Sequence, residues 1–88
     1  RGEVRDAWVC KEGKSLNEFD EKGVIATSSL RRKAQLLAHN PHFNIIDIRG
    51  NMNTRLEKME NGHCDAMIMA ATGLQRLGLE EKITEIID

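Results

Sequence analysis

Three short apolar segments, each followed directly by a segment with helical patterning, constrain the fold of this chain most. The predicted strands are residues 24–27, 43–48 and 65–70. The helices that follow are predicted from Ser28 or Ser29 to about Ala38, over about 53–60 and over 73–77. Such strand–helix alternation is typical of parallel strands joined by right-handed crossovers.

Two further segments complete the predicted α/β fold. Residues 6–10 are predicted as a strand that precedes the repeating units, and residues 79–87 as a final helix with apolar Leu79, Ile83, Ile86 and Ile87. The first long helix is predicted to place Leu30, Ala34 and Leu37 on one face. The pattern predicts a three-layer open sheet, and the length of 88 residues favours a single domain.

The charge is distributed unevenly along a chain whose net charge is only −1. Residues 26–55 hold five basic side chains against one acidic side chain, Asp47. This pattern favours binding of a small anion over nucleic acid, and the lack of Tyr with only Trp8, Phe19 and Phe43 argues against base stacking. Since no apolar run reaches about 18 residues and no signal peptide is found, we expect no membrane contact and a cytoplasmic location.

The cysteines and histidines do not form a metal-binding pattern. Cys10 and Cys64 are the only cysteines, and we expect both to be buried thiols in a reducing compartment. The three histidines are not spaced with them as a zinc ligand set. We therefore expect no metal site.

Five arginines follow the carboxyl ends of the three predicted parallel strands, and we call them the arginine rim: Arg31, Arg32, Arg49, Arg55 and Arg76. Ligands of open α/β sheets bind at this edge. Basic residues in the first helical turn oppose the helix dipole, whereas a bound anion would reverse that effect. The rim therefore predicts a carboxylate or phosphate site, in which Ser28 and Ser29 cap the helix or contact the anion.

Other interpretations of these residues remain open at this point. The arginines could be solvated or paired with the protein's own acids, of which only Asp47 is near in sequence. Helix capping explains the serines better than a nucleophilic role, because no base is identifiable. Asp47 and Asp65 could form a catalytic pair, although strand-edge aspartates are usually structural. The chain also lacks the glycine pattern of dinucleotide-binding folds.

Three segments together cover nearly the whole chain: RDAWV, VIATSSLRRKAQL and IIDIRGNMNTRLEKMENGHCDAMIMAATGLQRLGL. In their order and spacing the sequence resembles the porphobilinogen deaminase (hydroxymethylbilane synthase) family. The resemblance implies that residues 1–88 are domain 2 of a three-domain transferase of porphyrin and heme biosynthesis. That enzyme condenses four porphobilinogen molecules into hydroxymethylbilane and releases ammonia.

The resemblance also implies a dipyrromethane cofactor, attached to a cysteine in domain 3, and a catalytic aspartate in domain 1. Neither segment is present here, so the 88 residues alone are expected to be inactive. The implied partners are porphobilinogen, its oligopyrrole intermediates, and domains 1 and 3 of the same chain. The residues implied to bind the carboxylates of cofactor and growing chain are Thr27, Ser28, Ser29, Arg31, Arg32, Arg49, Arg55 and Arg76.

By the same resemblance, the fold is expected to be similar to one lobe of type II periplasmic binding proteins. Three parallel strands and one antiparallel strand would then lie in the order 43–48, 24–27, 65–70, 6–10. An alternative is the anion-binding lobe of a solute-binding or sensor protein, and a phosphate or nucleotide binder is a weaker one. Because Arg31 and Arg32 are expected to point outward, removal of either is expected to leave the fold intact.

Overall fold

The computed structural model describes residues 5–87 as an α/β fold with one mixed, open sheet. Two short 3-10 turns, Leu16–Glu18 and Glu80–Lys82, join longer elements. The strands are β1 (Asp6–Cys10), β2 (Val24–Ala26), β3 (Asn44–Ile46), β4 (Ala66–Ala70) and β5 (Glu85–Ile87). The helices are α1 (Leu30–His39), α2 (Met52–Glu60) and α3 (Ala71–Arg76).

The strands lie in the order β3-β2-β4-β1-β5. β2 pairs in parallel with β3 and β4, whereas β1 runs antiparallel to both of its neighbours. The four-strand order implied by the family resemblance is therefore confirmed. The parallel strands β2, β3 and β4 all end at one edge of the sheet, where the chain turns into α1, α2 and α3.

The predicted helix over residues 79–87 is wrong, because this segment ends in a fifth strand. β5 pairs with β1, with Asp6 opposite Ile87 and Trp8 opposite Glu85. The Thr84 N–H donates to the Trp8 carbonyl at 2.8 Å, and the Thr84 hydroxyl accepts from the Cys10 N–H at 3.0 Å. β-Branched residues favour the extended conformation here. The strand also pairs with the backbone N–H and C=O groups at the otherwise open edge of β1.

Both faces of the sheet are covered, which gives the predicted three layers. One buried cluster joins β1, β2 and β4 to α2 and α3 through residues such as Met67, Leu56 and Leu74. The other joins the opposite face to α1 through Leu36 and includes Trp8. No helix within residues 5–87 is long and apolar enough to cross a bilayer.

The inward face of α1 differs from the prediction. Leu30 is 84% exposed and Ala34 is also exposed, whereas Leu36 is buried. The helix is rotated so that Leu36 packs in the buried cluster and Arg32, one turn earlier, forms an ion pair with Asp6 at the start of β1. Leu30 consequently lies on the rim side of the helix start.

Local hydrogen bonds fix where the helices begin and end. Ser29, not Ser28, caps α1, and its hydroxyl accepts from the Arg32 N–H at 3.2 Å. Asn51 caps α2 by accepting from the Thr54 N–H at 2.9 Å. Gly62 adopts a φ of 88° after α2, which confirms the predicted left-handed cap.

The two cysteines are buried and carry free thiols, as predicted. They belong to the clusters on opposite faces of the sheet. Burial, and secondarily the neighbouring Asp65 carboxylate, raises the pKa of the Cys64 thiol to about 11. Cys64 is therefore a neutral core residue at physiological pH.

Candidate anion-binding site

A cleft of about 260 Å³ opens at the carboxyl edge of the parallel strands. It lies between the loop that leads from β2 into α1 and the loop that leads from β3 into α2. We call it the rim cleft, and its lining residues are Thr27, Ser28, Ser29, Leu30, Lys33, Ile46, Asp47 and Arg49. This is the edge at which the arginine rim was predicted.

The β2–α1 loop supplies one wall of the rim cleft. The Thr27 N–H donates to the Ile46 carbonyl at 3.0 Å, which continues the β2–β3 pairing into the loop. The buried Thr27 hydroxyl accepts from the Ser29 N–H at 3.2 Å. The N–H groups of the first α1 turn precede the first intrahelical hydrogen bond, so the helix start favours an anion here.

The β3–α2 loop supplies the opposite wall. Arg49 lies in the rim cleft, and its Nε donates to the Asp47 carboxylate at 2.9 Å, with both side chains well exposed. Gly50 turns the chain with a φ of 111°. Arg55 Nε donates to the Gly50 carbonyl at 2.8 Å and Lys58 Nζ to the Arg49 carbonyl at 2.9 Å, so two cations of α2 stabilise this loop.

Arg32 lies on the other side of α1, away from the rim cleft. Its Nε donates to Asp6 Oδ1 at 2.8 Å, and only 20% of the arginine side chain and 12% of the aspartate side chain are exposed. The expectation that Arg31 and Arg32 both point outward is therefore wrong for Arg32. The acid that neutralises Arg32 comes from 26 residues earlier in the sequence, because the sheet places the start of β1 beside α1.

The remaining rim arginines are exposed or partly exposed, and none lines the rim cleft. Arg31 Nη1 donates to Gln35 Oε1 at 3.4 Å along the outer face of α1. Arg76 is the last residue of α3, a full helix length from the carboxyl end of β4. The structure thus brings Thr27, Ser28, Ser29 and Arg49 into one cleft, whereas Arg31, Arg32, Arg55 and Arg76 do not line it.

Sequence reasoning missed Lys33 as a lining residue of the rim cleft. Its N–H donates to the Ser29 carbonyl at 3.0 Å, which places it one turn beyond the helix cap. That i, i+4 spacing from Ser29 is the signal that could have identified it. Leu30 and Ile46 were also missed, since Leu30 was predicted only on the apolar face of the first long helix and Ile46 only within a strand.

The donor groups in the rim cleft fit a carboxylate ligand. Hydroxyls, free helix N–H groups, a guanidinium and an ammonium all donate to anionic oxygens. Among the described lining residues there is no histidine, and Asp47 is the one carboxylate. The cleft can therefore hold and orient an anion, and within residues 5–87 neither serine hydroxyl in it is hydrogen-bonded to a base.

Known proteins of one family match this chain along its whole length. Residues 1–88 match the family model described as the porphobilinogen deaminase, dipyromethane cofactor binding domain. Over all 88 residues the chain is 48% identical to a protein of Burkholderia vietnamiensis, 47% to one of Acidithiobacillus ferrooxidans and 49% to one of Xanthomonas oryzae pv. oryzae, each named porphobilinogen deaminase. The matches cover 26%, 29% and 29% of those relatives, so the chain spans little more than a quarter of their length.

Proposed function

The chain belongs to the porphobilinogen deaminase family, and we propose that it is the cofactor-binding domain of a longer hydroxymethylbilane synthase. In this proposal residues 1–88 form one domain, the second of three. The complete enzyme condenses four porphobilinogen molecules into hydroxymethylbilane and releases ammonia. The dipyrromethane, when bound, supplies the pyrrole end to which further porphobilinogen units are joined.

The role of this domain is to hold and orient carboxylates. Ser28, Ser29 and Arg49 in the rim cleft bind acetate or propionate groups of the cofactor and growing chain, together with the first N–H groups of α1. Thr27 orients the loop through its hydrogen bond to Ser29. Arg31, Arg55 and Arg76 contact further carboxylates around the cleft, and Arg32 offers its remaining N–H groups beside its ion pair with Asp6.

One observation carries this proposal: an arginine and a serine-rich helix start face each other across a cleft at the carboxyl edge of the parallel strands. Each pyrrole unit of the cofactor brings two carboxylates, which match these donors in charge and hydrogen bonding. The three relatives are all named porphobilinogen deaminase, which supports this function over a solute-binding or sensor lobe.

The proposal extends to the surroundings of the domain. We propose domains 1 and 3 of the same chain as its partners, with the cofactor cysteine in domain 3 and the catalytic aspartate in domain 1. We also propose a cytoplasmic location. The sheet order, with a single strand opposed in direction to the other four, supports a likeness to one lobe of type II periplasmic binding proteins.

Calorimetric titration of the 88-residue chain tests the proposal. A dipyrromethane with free acetate and propionate groups should bind, whereas its methyl ester and ATP should bind much more weakly. Arg49→Gln should weaken binding about tenfold, as expected for the loss of a charge-assisted hydrogen bond. Equal affinity for the acid and its ester, or a preference for ATP, would contradict the proposal, as would porphobilinogen turnover by the chain alone.

A further inference from the structure

We infer that Lys33 is an additional carboxylate-binding residue of the rim cleft, and that Leu30 and Ile46 beside it contact the pyrrole ring that bears the carboxylate. This inference rests on the proposed function. It assigns to one cleft a ligand of defined chemistry: an organic carboxylate attached to a flat, largely apolar ring.

The position of Lys33 follows from the start of α1. Its N–H is bound to the Ser29 carbonyl at 3.0 Å, so its backbone is fixed by the same cap that forms the cleft wall. Its side chain is exposed and lines the rim cleft together with Arg49 from the opposite wall. An anion between the two loops can therefore be contacted by a cation from each side.

The charges in the cleft give Lys33 its importance. Asp47 pairs with Arg49 at 2.9 Å and offsets its charge, whereas Lys33 forms no ion pair with any residue between 5 and 87. The lining residues carry two positive charges and one negative charge, which leaves a net charge of +1. Lys33 therefore supplies the unmatched positive charge that attracts a carboxylate.

The apolar lining identifies the rest of the ligand. Leu30 is 84% exposed and Ile46 is 37% exposed, and both line the same cleft as the two cations. Exposed aliphatic side chains gain stability when an apolar surface covers them. A carboxylated pyrrole satisfies the cations and these aliphatic groups together, whereas inorganic phosphate satisfies only the cations.

The test compares Lys33→Gln, Lys33→Arg and the control Lys22→Gln in calorimetric titrations with the free-acid dipyrromethane. Lys22 is also exposed but precedes β2, at the opposite edge of the sheet. Lys33→Gln should weaken binding about three- to fivefold and reduce its salt dependence, as expected for one solvated ion pair. The affinity of Lys33→Arg should stay within about twofold of that of the unsubstituted chain, and the affinity of Lys22→Gln should equal that of the unsubstituted chain. Leu30→Ala should weaken binding of the dipyrromethane but not of inorganic phosphate.

The outcomes separate this inference from the proposed function. If Arg49→Gln loses affinity while Lys33→Gln and Lys22→Gln both match the unsubstituted chain, the role of Lys33 is overturned and the carboxylate site stands. If the unsubstituted chain does not bind the free acid, both are overturned. If Leu30→Ala weakens phosphate and dipyrromethane equally, the contact with the pyrrole ring is overturned.

Discussion

Two arginine–aspartate pairs with nearly the same Nε–carboxylate distance lie on opposite sides of the start of α1. Arg32 and Asp6 meet at 2.8 Å with 20% and 12% of their side chains exposed. Arg49 and Asp47 meet at 2.9 Å with 82% and 55% exposed. The two pairs therefore differ in burial far more than in distance.

The difference in burial gives the two pairs different roles. When one partner of a buried pair is removed, the other charge is left without water or a counter-charge, which lowers the free energy of unfolding. An exposed pair contributes little to that free energy, because water can replace the missing partner. The Arg32–Asp6 pair joins α1 to β1, and the loss of either partner should therefore destabilise the fold. The Arg49–Asp47 pair can open at small cost, so Arg49 remains available to a ligand.

The largest effect should come from Asp6→Ala, which would test the structural half of this comparison. It removes the partner of a mostly buried guanidinium, and we expect the free energy of unfolding to fall by about 2–3 kcal/mol. Urea denaturation monitored by circular dichroism measures this change. Asp47→Ala is the matched control and should cost less than about 0.5 kcal/mol. Equal losses for the two variants would show that burial does not separate the pairs.

The two serines of the β2–α1 loop sharpen the comparison between structural and ligand-binding residues. Ser29→Ala removes the α1 cap and should lower the free energy of unfolding by about 1 kcal/mol. Ser28→Ala should change the free energy of unfolding by less than about 0.3 kcal/mol and should instead weaken binding of the dipyrromethane. Thermal unfolding and calorimetric titration of both variants give the two readings. A larger stability loss for Ser28→Ala would contradict the assignment of the cap.

A small effect on stability is also expected for Asp47→Asn, which tests the ligand-binding half of the comparison. Because the exposed pair contributes little to stability, the free energy of unfolding should change by less than about 0.5 kcal/mol. Loss of the one negative charge in the rim cleft should strengthen dipyrromethane binding about two- to threefold at low salt. Weaker binding in this variant would mean that Asp47 orients Arg49 for the ligand rather than competing with it.

Much of the fold was predictable because local pattern and tertiary packing agree. β2, α1, α2 and β4 combine apolar periodicity with caps that can be read in the sequence, such as Asn51. The last segment was mispredicted because Leu79, Ile83 and Ile86 fit a helical spacing as well as a strand. Its strand conformation depends on pairing with β1, more than 70 residues earlier, which no local pattern reveals.

The candidate site was predictable in composition but not in arrangement. The positions of Ser29 and Arg49 after parallel strands place them at one edge of any such sheet. The rotation of α1 was not visible locally, because it involves long-range contacts of Leu36 with the sheet and of Arg32 with Asp6. With α1 in this rotation, Arg32 does not line the rim cleft, whereas Leu30 and Lys33 do.

The central claim is that carboxylated pyrroles bind in the exposed rim cleft, while the buried pair beside it serves the fold. Amide NMR shifts of the 88-residue chain, followed during titration with the free-acid dipyrromethane, test it most directly. We predict saturable shifts at residues 27–33 and 46–50, with the Trp8 and Asp6 amides of β1 nearly unchanged. Shifts confined to the opposite edge of the sheet, at residues 11–13 and 81–84, would contradict the claim.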